Sequence, residues 1–272
     1  MLRERALHLA GQRLAKDRFA GKEQALEPLA KLWVDEWQSH FECNFRLEQG
    51  AWWFHAPQFQ PEIAPEWGSQ SPLMSFASGS LVTLQSGAAF IIADVQNDFL
   101  PGGALAVPEG NQVASPLNRC IALFTSNKLP IFATRDWHPA NHCSFKSQGG
   151  PWPPHCVAGT NGAAFANELN LPDEITIVSK ADTQDKEAYS GFQETGLHDH
   201  LRSLGIRRLF IGGLTTDYCV LNTAMDALNL GYRVMLLIDA IRALNLKPHD
   251  GERAIAEMES AGAHVIQPGK LA

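Results

Sequence analysis

The sequence predicts an α/β fold: a three-layer α/β/α arrangement around a mainly parallel, doubly wound sheet, with a helical and irregular N-terminal extension. Three observations predict it. Short apolar, β-branched runs recur between residues 88 and 266. Most segments between them can carry an amphipathic helix. A Gly/Ser-rich stretch, residues 75–87, separates this region from an N-terminal part with another pattern.

The strand candidates are residues 88–93, 130–134, 174–178, 209–211 and 234–238, with 264–266 as a short sixth. Their apolar residues are continuous rather than alternating. That marks strands buried on both faces, as in parallel sheets covered by helices. The helix candidates are residues 116–127, 195–204, 217–230 and 250–261. Upstream, Leu2, Ala6, Leu7, Ala10 and Leu14 share one helical face, and Leu26, Leu29, Ala30, Trp33 and Trp37 share a second. Residues 1 to about 45 therefore read as helical. Residues 46–80, with four Pro and with Trp52, Trp53 and Trp67, read as irregular. The expected division is an extension over residues 1–80 and an α/β domain over residues 87–272. The tryptophans of the extension are expected to pack against apolar surface rather than face water.

Composition narrows the function classes. The chain has 272 residues, 45% of them apolar, and a formal net charge of −7 with no basic block, which argues against a nucleic-acid partner. No apolar run approaches the roughly 20 residues that span a bilayer, and no apolar stretch with a cleavage site follows the N-terminus. No membrane partner is expected. The five cysteines are odd in number and scattered. They are expected as reduced thiols in a cytoplasmic protein rather than as a disulfide framework.

The chemistry-bearing residues sit just beyond the strands, where open α/β sheets bind ligands. The first run ends at Asp94, the second at Asp136-Trp137-His138, the third at Lys180, and the fourth leads through Gly212-Gly213 to Cys219. Cys219 would lie in the first turn of a helix, where free amides favour a thiolate and can receive an oxyanion. Asp94, at the end of a neighbouring strand, can take the thiol proton, and a Lys180 ammonium beside it would favour the thiolate. Each has an ordinary explanation alone: a buried Cys, a capping Asp, an exposed Lys. Asp98 is a rival acid in the same loop, or its capping residue. Asp136, His138, His142 and His155 form a carboxylate–imidazole set suited to Zn²⁺, Fe²⁺ or Mn²⁺. Cys143 and Cys156, adjacent to ligands in sequence, are expected to point away.

These residues lie in longer matching stretches: Asp94-Val95-Gln96-Asn97-Asp98-Phe99, Thr134-Arg135-Asp136-Trp137-His138-Pro139, Trp152-Pro153-Pro154-His155-Cys156-Val157, Lys180 with Tyr189-Ser190-Gly191-Phe192, and Gly212-Gly213-Leu214 through Thr216-Asp217-Tyr218-Cys219. From about residue 88 to 266 the chain resembles the nicotinamidase/pyrazinamidase family of the isochorismatase-like hydrolases. The resemblance implies hydrolysis of nicotinamide to nicotinate and ammonia, in pyridine-nucleotide salvage, with pyrazinamide as a further substrate and a homo-oligomer as an option. It implies Asp94, Lys180 and Cys219 as the triad. It implies one divalent metal ion, Zn²⁺ in first place, on Asp136, His138 and His155, with His142 a fourth ligand in some members. It places Phe99, Leu105, Trp137, Trp152, Leu214 and Tyr218 at or near the ring pocket. It implies a cis Leu214–Thr215 peptide that aims the Thr215 and Cys219 amides at the oxyanion. The chain departs from the family at Ala181, usually Gly, at Glu187-Ala188, usually with Asp before the Tyr-Ser pair, and at Thr215, usually Ala. Two other readings remain: a cysteine amidase of the same superfamily acting on a carbamoyl or ureido substrate, and a non-catalytic binding protein.

Overall fold

A computed structural model describes residues 44–48, 51–55 and 82–271 of the chain. The chain divides into two compact units, Met1–Met74 and Ser75–Ala272. In the first, β1 (Asn44–Glu48) and β2 (Ala51–His55) pair antiparallel, with Glu48 opposite Ala51. This corrects the expectation of helix as far as residue 45 and of irregular chain after it. The alternation Phe45, Leu47 and the β-forming Trp-Trp-Phe of β2 suit strands. Only Gln49-Gly50 separates them, a spacing and a glycine typical of tight hairpins. The two helices expected before residue 44 lie outside the described residues.

The second unit is built on a six-stranded parallel sheet in the order β5-β4-β3-β6-β7-β8. The strands are β3 (Ala88–Ala93), β4 (Ile131–Asp136), β5 (Thr176–Lys180), β6 (Arg208–Leu214), β7 (Arg233–Arg242) and β8 (His264–Ile266). Strand direction of growth reverses after β5: the chain returns to pair β6 with the opposite side of β3. The crevice at that switch, beyond the carboxyl ends of β3 and β6, is where such sheets bind ligands.

Among the described residues, four helices cover the sheet: α1 (Ala114–Ser126), α2 (Leu197–Ser203), α3 (Leu221–Asn229) and α4 (Asp250–Ala261). Side chains alternate across each strand, so β3 sends Phe90 and Ile92 to one face and Ala89 and Ile91 to the other. The first face packs on Leu117, Cys120, Ile121 and Phe124 of α1. The second packs on Leu197 and Leu201 of α2, Ala224 and Ala227 of α3 and Met258 of α4. Both layers exclude water from the sheet, and burying each Leu, Ile or Phe contributes about 1.5–3 kcal/mol.

Three differences from the sequence-based elements matter for the site. β4 and β5 run two residues further than their apolar runs, so Asp136 and Lys180 are the last residues of strands and stand opposite each other in register. β6 continues through Gly212-Gly213 to Leu214. The expected helix 217–230 divides into a π-helical turn, Thr216–Val220, and α3. No helix among the described residues is long and apolar enough to cross a membrane.

Candidate active site

The carboxyl ends of four adjacent strands supply the site. Asp94 follows β3 in a left-handed conformation, φ 46°, which Asp tolerates better than most residues. Its amide donates to the Thr134 carbonyl on β4 (3.2 Å), and the Thr134 hydroxyl donates to its Oδ1 (2.6 Å). These bonds turn the carboxylate toward β5 and β6. β6 can approach because Gly213, φ 129°, has no side chain: a Cβ there would lie 2.0 Å from the Ala93 carbonyl oxygen. The Leu214–Thr215 peptide that follows is cis, and the π-helical turn then carries Cys219 back over the strand ends.

Asp94, Lys180 and Cys219 come together and are 0%, 1% and 4% exposed. The Lys180 ammonium lies 3.0 Å from Asp94 Oδ2 and 3.5 Å from Cys219 Sγ, donates to the Ala188 carbonyl (3.1 Å) and is in direct contact with Asp136 Oδ1. Asp94 Oδ2 has this ion pair but no directed hydrogen bond. It is the oxygen left to take a proton. Ligand-type atoms of Asp94, Asp136 and Cys219 all lie within 4.8 Å of one another.

The charges follow from burial and from one ammonium between two carboxylates. Burial works to lower Lys180, but the Asp136 and Asp94 charges outweigh it and hold the ammonium well above its ordinary range. Burial works to raise Asp136, and the Lys180 ammonium with His138 overcomes it, holding that carboxyl well below the usual range. For Asp94 burial wins: its carboxyl is raised above 3.8, with Lys180 opposing and Asp136 reinforcing the rise. Burial also pushes the Cys219 thiol well above 9.0, against the pull of Lys180 and with Asp94 and Asp136 adding to it. This reverses the expected lowering of the thiol. Helix-end amides and one cation do not offset desolvation and two nearby negative charges. Cys219 therefore rests as a thiol, with its sulfur in the same buried group as the Asp94 carboxylate.

Beside this group, one donor atom each of Asp136, His138 and His155 lie within 4.8 Å of one another, all buried. His138 Nδ1 faces the Ala181 carbonyl (3.2 Å) and His155 Nδ1 the Pro153 carbonyl (2.8 Å). Carbonyls only accept, so both Nδ1 atoms carry a proton and Nε2 is the ligand atom on each ring, that of His138 lying 3.7 Å from Asp136 Oδ2. Charge fits as well: two buried carboxylates face one ammonium, a local excess of one negative charge that a cation would balance. The donor set therefore suits a divalent metal. His142 is not part of it. Its Nε2 donates to the Lys186 carbonyl (2.9 Å) and its Nδ1 accepts from the Ser144 hydroxyl (2.8 Å), which uses both nitrogens.

A small cavity opens onto both groups. Of the expected pocket residues, Phe99, Leu105, Trp152 and Tyr218 line it with Thr215 and Cys219. Trp152 and Tyr218 meet edge to face at 5.2 Å. Trp137 and Leu214 do not line it. Trp137 lies under the Arg135 guanidinium, 3.7 Å from the ring centre, and Leu214 is fully buried in the core against α1 and its neighbours. Asp98 is neither base nor helix cap. Its Oδ2 accepts from the Cys156 amide (2.7 Å) and its Oδ1 from the Ala104 amide (3.2 Å), pinning the His155 loop to the β3 loop. Cys156 is buried in the core, and Cys143 Sγ lies 4.0 Å from His142 Nε2. Sequence reasoning missed Glu187, Tyr189 and Leu244 in the lining and Gln96 behind it. The buried Gln96 amide bonds the Asp136 carbonyl (2.8 Å) and accepts from the Asp136 amide (2.8 Å). Tyr189 and Gln96 stand inside the matching stretches and could have been found there; Leu244 carries no such signal.

Comparison with known proteins gives the family of the chain. The isochorismatase domain model matches residues 88–268. The chain is 40% identical over 196 residues to the nicotinamidase of Escherichia coli (strain K12), a match covering 64% of this chain and 92% of that protein. Among solved structures, the pyrazinamidase of Pyrococcus horikoshii in complex with zinc superposes with a TM-score of 0.64 at 50% identity, over 66% of this chain and 99% of that one. PnC1 from L. infantum in complex with nicotinate gives a TM-score of 0.65 at 38% identity, over 71% of this chain and 98% of that one. The chain thus belongs to the isochorismatase-like hydrolases and, within them, to the nicotinamidase/pyrazinamidase family.

Proposed function

We propose that this protein is a nicotinamidase, hydrolysing nicotinamide to nicotinate and ammonia through a thioester on Cys219. The observation that carries the reading is one buried ammonium, Lys180, in reach of both the Asp94 carboxylate (3.0 Å) and the Cys219 sulfur (3.5 Å), beside a three-residue metal-binding set.

In this mechanism Asp94 takes the thiol proton as Cys219 Sγ attacks the amide carbon. The oxyanion faces the Thr215 and Cys219 amides. Asp94 returns the proton to the amide nitrogen, the C–N bond breaks and ammonia leaves. Asp94 then accepts a proton from water, whose oxygen attacks the thioester. Nicotinate departs as the sulfur is reprotonated. Lys180 keeps its proton throughout and holds Asp94 in place. Splitting hydrolysis into two acyl transfers suits an aromatic amide, a poor electrophile. Trp152, Tyr218, Phe99 and Leu105 supply the apolar walls for the ring. A divalent ion on Asp136, His138 and His155, Zn²⁺ by preference, would supply a Lewis-acid contact for the ring nitrogen.

Ammonia release from nicotinamide, measured before and after chelation, tests this reading. Turnover that falls on chelation and returns with Zn²⁺, Fe²⁺ or Mn²⁺ is expected. Undiminished turnover in metal-free protein would favour a metal-independent cysteine amidase acting on a carbamoyl or ureido substrate.

A further inference from the structure

Two buried polar side-chain atoms in the described residues have no hydrogen-bond partner: Asp94 Oδ2, which has the Lys180 ion pair, and Thr215 Oγ1, which has none. Buried hydroxyls without a partner are rare in folded proteins, and each one asks for a reason. Local structure does not provide it. The Thr215 carbonyl accepts from the Tyr218 and Val220 amides (3.2 and 3.0 Å), so the turn is closed by backbone alone and makes no use of the hydroxyl. A valine of nearly the same shape would meet no desolvation penalty in that place. Thr215 is 3% exposed, yet it lines the cavity that also holds Cys219, Tyr218 and Asp136. As a lining residue, Thr215 stands next to whatever enters the cavity.

We propose that the Thr215 hydroxyl is a catalytic donor of this site, giving its hydrogen to the carbonyl oxygen of the substrate carboxamide as that oxygen gains negative charge. The inference rests on the amidase reading above. Asp94 serves the nitrogen side of the amide, where the leaving group needs a proton. The oxygen side faces the residue whose own amide is assigned to the oxyanion, and that residue is Thr215. Its side chain adds a further donor to the pair of backbone amides. A hydroxyl unpaired in the free enzyme has no bond to break when the substrate arrives, so its interaction strengthens fully in the transition state.

The test compares Thr215→Val and Thr215→Ser in nicotinamide hydrolysis, with melting temperature and pH profile measured on the same preparations. Removing one side-chain oxyanion donor costs about 10²–10³-fold in turnover. Thr215→Val is expected to lose kcat on that scale with KM little changed. Its melting temperature should equal or exceed that of the wild type, because an unpaired buried hydroxyl has gone. Thr215→Ser should recover most of the loss, and the acid limb of the pH profile should not move in either variant. Wild-type kcat in Thr215→Val overturns the proposal. So does a loss that follows a lowered melting temperature and is equally large in Thr215→Ser, which would make Thr215 a packing residue. A wild-type protein that releases no ammonia overturns the nicotinamidase reading, and this inference with it.

Discussion

At the scale of single residues, the site is governed by Lys180, one ammonium that serves two carboxylates and a sulfur. Burial and this ammonium together leave the two acids in opposite states: the ammonium with His138 holds Asp136 down, and burial keeps Asp94 raised against it. That division assigns their roles. The depressed acid suits a permanent metal ligand, and the raised one suits a proton carrier. The sign of the pH dependence follows. Protonating Asp94 fills the acceptor that the Cys219 thiol needs, so kcat/KM should rise with pH through the Asp94 pKa, at a midpoint above 3.8. Asp94→Asn should lose about 10²–10⁴-fold in turnover, and its remaining rate should lack that acid limb. An unshifted limb in Asp94→Asn would assign the base elsewhere. That these residues meet was legible in the sequence because each ends or follows a strand of one sheet. Their protonation was not, since it depends on burial that no local pattern reports. His142 was unreadable for a similar reason: a ligand and a hydrogen-bonded loop histidine look alike until the Lys186 carbonyl is placed 2.9 Å from its Nε2. Ala181 occupies a left-handed position, φ 50°, where the family usually has Gly, and its carbonyl in that conformation receives His138 Nδ1 (3.2 Å).

At the scale of elements, strand register does the positioning. Asp136 opposite Lys180 on β4 and β5, and Ala93 opposite Gly213 on β3 and β6, fix the geometry before any side chain chooses a rotamer. Gly213 is the position that cannot be exchanged. Gly213→Ala combines strained backbone, about 1–3 kcal/mol, with overpacking against Ala93, about 1–3 kcal/mol. A stability loss of about 2–6 kcal/mol in urea unfolding is expected, and wild-type stability would show that β6 does not depend on this close approach. The strand cores were legible as apolar runs, whereas their polar ends were not. Arg135-Asp136 and Ser179-Lys180 interrupt hydrophobicity but not the hydrogen-bond ladder, so β4 and β5 outran their apparent ends. The π-helical turn that carries Cys219 has no signature in periodicity, because a single widened turn alters no repeat. Trp137 and Leu214 were misplaced because adjacency to site residues in a strand or turn does not fix the direction a side chain takes.

For the whole molecule, the parallel sheet of the second unit turns four distant loops into one pocket at its switch point. The doubly wound arrangement was legible from the alternation of apolar runs with helical segments. The hairpin of the first unit was hidden by its Pro- and Trp-rich surroundings, although Gln49-Gly50 between β-forming runs was its signal. We propose that residues 87–272 carry the chemistry and that the N-terminal extension is an addition to it. The family model spans residues 88–268, and relatives of nearly that length are covered almost completely. The central claim is covalent: the substrate acyl group is transferred to one sulfur. Acid-quenched turnover of nicotinamide followed by peptide mass spectrometry tests it most directly. The account predicts a nicotinoyl group on the Cys219 peptide and no ammonia release by Cys219→Ala. Undiminished turnover in that variant, or the acyl group on another residue, would contradict it.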